Sequence, residues 1–270
     1  GTNGDTDLAA AQVFFQQLPP GAQMLIKARA GGGGRGMRIV ETIEQLPKLL
    51  ERCQSEAKAA FGDASVYVEQ LVPRARHIEI QIIGDGENIC HLWERECSTQ
   101  RNHQKVIELA PAPGLDPIMR QSLIDAAVTM AASADYLSLG TFEFLLDRDN
   151  PNQFYFIEAN PRLQVEHTVT EAVTGVDLVQ TQLHLANGET LATLGLLDSD
   201  RPLPRGFAIQ ARINMESLSL KTPASPRFKP TGGTLAVFEP PTGPGIRVDS
   251  FGYAGYQTST RFDSLLAKLI

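Results

Sequence analysis

Disulfide frameworks, membrane spans and nucleic-acid footprints are all missing from this sequence. Its 270 residues hold three cysteines, Cys53, Cys90 and Cys97, with no Cys-x-x-Cys pair, which excludes a disulfide scaffold and points to reduced thiols in a reducing compartment. Cys90, His91, Cys97 and His103 lie near one another, but their spacing fits no usual zinc finger or ribbon. No apolar run approaches the ~18 residues that cross a bilayer, and no signal peptide is expected ahead of Gly1. A basic stripe is absent too. The 24 Lys and Arg are dispersed among 31 Asp and Glu for a net charge of −7, which argues against a nucleic-acid partner. Internal repeats and long low-complexity tracts are lacking. What remains is a chain 42% hydrophobic, long enough to bury a substantial core in one large domain or two smaller ones.

The densest chemistry runs over residues 154–171, FYFIEANPRLQVEHTVTE, where acids, an amide, an arginine, a glutamine and a histidine follow a short apolar strand. A period of two puts Phe154, Phe156, Glu158 and Asn160 on one face, so a carboxylate and an amide oxygen leave the strand end together. Hard oxygen donors grouped in this way suit Mg²⁺, whose shell is usually completed by water and substrate phosphates. Upstream, GTFEFLLD carries Glu143 on a second strand, and the polar segment 147–153 reads as a hairpin turn around Asn150 and Pro151. Glu143 and Glu158 are therefore expected to converge across one hairpin. The alternative is a plain hairpin with two solvent-facing acids.

A second signal is AGGGGRGMRIV, residues 30–40, directly after the apolar strand MLIKARA. Glycines 31 to 34 and 36 let the backbone bend and its N–H groups approach a phosphate, with Gly32, Gly33 and Gly34 at the centre. Lys27, Arg35 and Arg38 add cationic charge. The run has no Gly-Lys-Ser/Thr and is not a Gly-x-Gly-x-x-Gly leading into a helix, so it is neither a P-loop nor a dinucleotide fingerprint. A flexible linker is the plainer alternative. Around it, patterning predicts a helix over 7–18, a strand over 24–30, a helix ending near Phe61 with Pro47 in its first turn and Gly62 as its cap, and a strand over 65–72. From Arg76 alternating strands such as HIEIQII dominate. Helices are expected from Asp116 and Pro117 to about Tyr136 and from Asp177 to near Gly188, and a loop over 218–232.

Four stretches stand in order: IKARAGGGGRGMR; RHIEIQIIGDG with ERECSTQRNHQKVIELAPAP; GTFEF with FIEANPRLQVEHTVTE; and AIQARINMES with YAGYQTSTRFDSLLAKLI. Together they resemble the biotin carboxylase component of biotin-dependent carboxylases, a branch of the ATP-grasp superfamily. The resemblance implies an α+β fold with a small α/β lid over 1–71 that closes over nucleotide. It further implies a larger antiparallel sheet with flanking helices carrying the metal and bicarbonate site over 72–204, and a C-terminal region over 205–270. The family normally opens with a Rossmann-like domain bearing a further ATP-contacting lysine and continues past DSLLAKLI. Both ends are expected to be missing, and the fragment alone to be inactive. Ala30 and Ala211 depart from the glycine and cysteine frequent in the family, away from the chemistry. NPRLQVEHTVTE is closer to pyruvate carboxylases and single-chain acyl-CoA carboxylases than to a stand-alone subunit.

The same resemblance implies ATP, Mg²⁺ or Mn²⁺, and biotin held on a carrier. Glu69, Gln70, Leu71 and Val72 at the end of a hinge strand would meet adenine, with Leu145 also at the nucleotide. His77 and Gln100 would lie near the ribose, and Lys27 with His103 would contact phosphates. Glu143, Glu158 and Asn160 would hold metal. Bicarbonate would be gripped by Lys105, Arg162, Gln164 and Val165, a small planar anion being well matched by a guanidinium fork with added N–H donors. Glu166 would deprotonate it for attack on the γ-phosphate. The resulting carboxyphosphate would collapse to CO₂ and phosphate, the phosphate taking the proton from N1′ of biotin, and Arg212 would stabilise the biotin enolate. Expected partners are a biotin carboxyl carrier domain and a carboxyltransferase, in the same chain or as separate subunits, within a homo-oligomer in the cytoplasm or mitochondrial matrix, with no nucleic acid and no membrane. The transferase, not this region, would choose the final acyl acceptor. Another ATP-grasp ligase acting on an amine or carboxylate, and a noncatalytic interaction module, are the remaining alternatives.

Overall fold

The computed structural model describes residues 1–31, 36–197, 199–219, 227–261 and 263–270, which fall into two compact units: residues 1–75 with 102–104, and residues 76–101 with 105–270. In the first unit Asp7 caps α1 (Leu8–Gln17), its carboxylate accepting from the Ala10 amide at 2.8 Å. Strands β1 (Met24–Ala28) and β2 (Met37–Val40) precede α2 (Leu46–Phe61) and β3 (Val66–Gln70), and the three strands form an antiparallel sheet in the order β2-β1-β3. Met24, Ile26, Val40, Val66 and Val68 pack with Leu46, Leu50 and Cys53, the inward face of α2, and with Ala11 of α1. Pro47 sits in the first turn of α2 and Gly62 ends it at φ 77, as the sequence suggested. Gly36 adopts φ 70, and a Cβ there would stand 2.8 Å from that of Ala28, so a side chain is excluded twice over. The expected phosphate-loop residues Gly32, Gly33 and Gly34 lie outside the described residues.

The second unit is built on an eight-stranded sheet. Its chain runs through β4 (Ala75–Asp85), β5 (Ile89–Arg101), β6 (Gln104–Ala110), α3 (Pro117–Ala132), β7 (Leu137–Asp147), β8 (Phe154–Asn160), α4 (His167–Thr174), α5 (Leu178–Ala186) and β9 (Ala208–Asn214). It then forms β10 (Glu216–Ser219), β11 (Arg227–Pro230), β12 (Gly233–Thr234), β13 (Val248–Ser250), β14 (Gln257–Thr258) and β15 (Leu265–Leu269). The large sheet has the order β13-β15-β9-β6-β5-β4-β7-β8, while β10-β11 and β12-β14 are separate two-stranded pairs. The segment from 205 onward, read from the sequence as a region of its own, thus adds strands to the same sheet within one compact unit.

Alternation along the strands gives this sheet two different faces. Ile78, Ile80, Ile82, Phe142, Phe144 and Leu146 point to one side, where Leu123, Ile124, Ala127 and Ala131 of α3 cover them. Asp116 caps α3, accepting from Ile118 N at 2.9 Å and Met119 N at 3.0 Å. The intervening residues His77, Glu79, Gln81, Thr141 and Glu143 point to the other side, where α4 packs against β5 and β9. Among the described residues no helix is long and apolar enough to cross a membrane.

Three expectations need correction. Phe156 and Glu158 do not share a face: Glu143 pairs with Glu158 but Phe144 with Phe156, so a bulge at Ile157 turns Phe154 and Phe156 to the apolar side, where Phe154 packs on the core and the exposed Phe156 meets Phe144 edge-on, and leaves Glu158 and Asn160 on the polar side. Helix α3 stops at Ala132 rather than near Tyr136, because Asp135 takes a left-handed φ of 45 and the Tyr136 amide returns to Ala131 O. The expected loop over 218–232 contains paired strand at both described ends, β10 on β11, with Phe228 3.9 Å beneath the Arg101 guanidinium; residues 220–226 lie outside the described residues.

Leu123 is fully buried at the centre of the α3 contact. Leu123→Ala is expected to lower unfolding free energy by about 2–5 kcal/mol in urea titrations, whereas a loss under about 1 kcal/mol would mean that α3 is not a principal core element.

Candidate active site

A layer of charge lies between the polar face of the sheet and α4. Glu79 on β4 and Arg95 on β5 are cross-strand partners, both with no solvent exposure, and the Arg95 Nε donates to Glu79. The rest of the guanidinium is satisfied by Gln81 Oε1 at 2.8 Å, Thr170 Oγ1 at 2.9 Å and Thr141 Oγ1 at 3.1 Å, so one side chain ties together β4, β5, β7 and α4. The second oxygen of Glu79 accepts from Lys105 Nζ at 2.6 Å. That ammonium also donates to Glu143 Oε1 at 2.9 Å and Glu166 Oε1 at 2.6 Å, so its three donors meet three carboxylates from β4, β7 and the start of α4. Burial works against the Lys105 charge, but Glu79 and the flanking acids raise its pKa far above the ordinary lysine range.

Glu143 collects four of the expected residues, His77, Lys105, Asn160 and Gln164. His77 Nε2 stands 2.6 Å from its Oε2, and the Gln100 amide nitrogen reaches His77 Nδ1 at 2.8 Å, an arrangement that leaves the ring proton on Nε2 facing the acid. Its other oxygen accepts from Asn160 Nδ2 at 2.9 Å and Gln164 Nε2 at 3.1 Å. Burial would raise this carboxyl, yet the His77 bond and the Lys105 charge bring it from 4.5 down to about 2. Glu158, directly opposite on β8, is exposed and is joined to the group by Asn160 Nδ2 at 3.1 Å.

Glu166 begins α4 and is bracketed by two cations, Lys105 on one oxygen and Arg212 Nη2 at 2.9 Å on the other. Val165 is fixed through its carbonyl, which accepts from Lys268 Nζ at 3.1 Å. Arg162 differs from these. It is exposed, and its guanidinium makes one bond, to the Leu163 carbonyl at 3.2 Å. Leu145 lies half-buried two residues beyond Glu143 on the same strand.

The structure therefore brings Lys105, His77, Gln100, Glu143, Glu158, Asn160, Gln164, Glu166 and Arg212 into one connected group, with Val165 alongside. Of the other expected residues, Leu145 and Arg162 lie in the second unit without joining this network, and the rest belong to the first unit. There Lys27 pairs with Glu69 at 2.6 Å across β1 and β3, the Leu71 amide donates to Gln23 O at 2.8 Å, Gln70 and His103 are exposed, and Val72 is half-buried. Glu79, Gln81, Arg95, Glu108, Thr168, Thr170, Gln210 and Lys268 were not singled out from the sequence. The signal was present in HIEIQII and QARIN, where His, Glu and Gln, or Gln and Arg, alternate with apolar residues on strands central to the sheet.

Two trios of possible metal ligands occur among the described residues, His77–Glu79–Glu143 and Glu79–Cys97–Glu166. Glu79, Glu143 and Glu166 already share the Lys105 ammonium, which occupies the space between them, and Cys97 is fully buried with its pKa pushed well up by burial, which disfavours the thiolate a metal would need. On the Glu143–Asn160–Glu158 edge it is Glu158 that faces solvent with oxygen positions open to an ion that keeps water and phosphate ligands, while Glu143 already accepts from His77, Lys105, Asn160 and Gln164.

Comparison with known proteins shows the family to which the chain belongs. A family model described as the carbamoyl-phosphate synthase L chain, ATP binding domain, matches residues 11–194, and one described as the biotin carboxylase C-terminal domain matches residues 210–270. A biotin carboxylase of Nostoc sp. is 48% identical over 251 residues, covering 93% of this chain and 54% of that protein. A pyruvate carboxylase of Schizosaccharomyces pombe is 45% identical over 271 residues, covering 99% of this chain and 22% of that protein. Among solved structures, the biotin carboxylase domain dimer of Hydrogenobacter thermophilus 2-oxoglutarate carboxylase, in complex with MgADP, ADP and bicarbonate, aligns with a TM-score of 0.89 at 39% identity, covering 100% of this chain and 57% of that one. A Campylobacter jejuni biotin carboxylase β-γ-ATP complex aligns with a TM-score of 0.88 at 39% identity and the same coverage. The chain spans about half the length of the biotin carboxylases it matches.

Arg95→Met removes the guanidinium from a fully buried acid and is expected to cost about 3–5 kcal/mol. Adding Glu79→Gln to it should recover part of that loss, giving a favourable coupling in a double-mutant cycle of urea unfolding. Additive losses would show that the pair is not an energetic unit.

Proposed function

We propose that this chain, which belongs to the family of carbamoyl-phosphate synthase L chain ATP-binding domains and continues into a biotin carboxylase C-terminal domain, is the part of a biotin-dependent carboxylase that carboxylates biotin with bicarbonate and ATP. The observation that carries this reading is Glu166, a carboxylate held between Lys105 at 2.6 Å and Arg212 at 2.9 Å and set beside the Glu143–Asn160–Glu158 edge. A base flanked by two cations suits a small anionic substrate, since the cations attract the anion that the base must deprotonate.

By this reading bicarbonate docks against Lys105, the exposed Arg162 guanidinium, the Gln164 amide and the Val165 backbone. Glu166 takes its proton as a bicarbonate oxygen attacks the γ-phosphate and ADP departs. Carboxyphosphate then breaks into CO₂ and phosphate, the phosphate accepts the proton from biotin N1′, and Arg212 stabilises the negative charge left on biotin. Glu143, Glu158 and Asn160 would hold Mg²⁺ or Mn²⁺, which neutralises phosphate charge when bound. Lys27 and His103 serve the phosphates, Glu69 to Val72 and Leu145 the adenine, and His77 with Gln100 the ribose, with the first unit acting as a lid. Residues 72–204 would supply the central sheet with the metal and bicarbonate site, and residues 205–270 the C-terminal region.

Biotin arrives on a carrier domain and leaves for a carboxyltransferase, whether in the same chain or on separate subunits, and the complete protein is a homo-oligomer. Three free, buried cysteines support a reducing compartment, the cytoplasm or a mitochondrial matrix.

The test is bicarbonate-dependent ADP release by the full-length protein, with and without free biotin. Glu166→Gln should lower that rate by about 10²- to 10⁴-fold while an ATP analogue still binds. Unchanged ADP release would remove Glu166 from the chemistry, and release independent of bicarbonate in the wild type would favour a different ATP-grasp ligase.

A further inference from the structure

The residues that hold Arg212 are not explained by any step above. Its Nε donates to Glu108 Oε1 at 2.6 Å, while Nη2 donates to Glu166. Glu108, on β6, has no solvent exposure, and its other oxygen accepts from Gln210 Nε2 at 2.9 Å. Gln210, also fully buried, accepts in turn from the hydroxyl of Thr168, two residues into α4 from Glu166. These contacts close a ring: Glu166, Arg212, Glu108, Gln210, Thr168 and back along the first turn of α4. Three elements, β6, β9 and α4, contribute to it.

A buried carboxylate is a costly way to hold an arginine that already has an acid beside it. Burial raises the Glu108 pKa, and the Arg212 charge opposes that rise. An uncharged residue of similar size at this position would avoid the desolvation penalty. What the second acid adds is orientation. With Nε tied to Glu108, the guanidinium plane is set by the ring, and its Nη2 edge stays directed at Glu166 and whatever binds there. The arginine also keeps a counter-ion when Glu166 turns to bicarbonate.

We propose that Glu108 is a positioning residue that, through the ring with Gln210 and Thr168, fixes Arg212 relative to Glu166 and so couples the step on bicarbonate to the step on biotin. This deepens the proposed carboxylation and rests on it. Glu108 touches no substrate; it acts through Arg212.

The experiment uses the full-length protein with free biotin and measures phosphate released and carboxybiotin formed in parallel. Misplacing a catalytic group by about 1 Å can cost about 10²-fold, so carboxybiotin formed per ATP cleaved should fall about 10- to 100-fold in Glu108→Gln. The double variant Glu108→Gln/Arg212→Ala should show a ratio no lower than Arg212→Ala alone, because both substitutions disable one unit. Glu108→Asp, which keeps the charge, should recover part of the ratio. Circular dichroism and thermal unfolding establish that each variant is folded. If Glu108→Gln is not, Thr168→Val opens the ring without removing charge and should lower the same ratio. An unaltered ratio in a folded Glu108→Gln or Thr168→Val, or losses that multiply in the double variant, would overturn the positioning role. A wild type that forms no carboxybiotin would instead overturn the carboxylation reading itself.

Discussion

The fully buried guanidinium of Arg95 is the constraint from which the polar half of this molecule follows. Burying a charge is unfavourable unless its donors are met, and Arg95 meets Glu79, Gln81, Thr141 and Thr170 on two neighbouring strands and a helix. That satisfaction fixes Glu79, Glu79 orients Lys105, and Lys105 gathers Glu143 and Glu166. A chain of single contacts thus runs from the centre of the sheet to the residues proposed for chemistry. The apolar face, with α3 on Ile78, Ile80 and Ile82, supplies the rigid backing that such a network requires, since buried polar groups hold one geometry only where the strands beneath them cannot shift.

The β-bulges matter to the same end. At Ile157 an inserted residue lets β8 turn Phe154 and Phe156 to the apolar side and still present Glu158 and Asn160 on the other. A second register shift, between the Ile80–Glu94 and Ile82–His91 pairs, gives Trp93 a φ of 66 and ends the strict pairing just beyond Glu79–Arg95. Both irregularities sit beside the charged layer, where a side chain has to be aimed rather than merely buried.

Much of this was legible beforehand. Helix ends were marked by Asp116, Pro47 and Gly62, whose roles are local, and Glu143 with Glu158 could be paired across a hairpin because the turn lay only a few residues away. The face of Phe156 was misjudged because a bulge leaves no mark in a period-two pattern. Glu79, Arg95, Glu108 and Gln210 were passed over for a different reason. A polar residue alternating with isoleucine normally faces water, and only the arrival of α4 from a distant part of the chain turns that face into an interior. Charge pairs such as Arg212 with Glu108, 104 residues apart, are set by sheet order, and sheet order is not written in local spacing.

Lys105 neutralising the acids around it is what makes the layer stable and chemically ready, and Glu143 reports on it. A carboxyl brought from 4.5 to about 2 is ionised at all higher pH; the stability it contributes is fully present above about 4.5 and is lost as the pH falls through about 2. Carbon-detected NMR titration of selectively labelled glutamate in the intact protein and in Lys105→Met measures this site. A midpoint near 2 in the wild type that rises when the ammonium is removed is the expected result. A midpoint near 4.5 in both proteins would contradict the picture of a cation-held carboxylate layer.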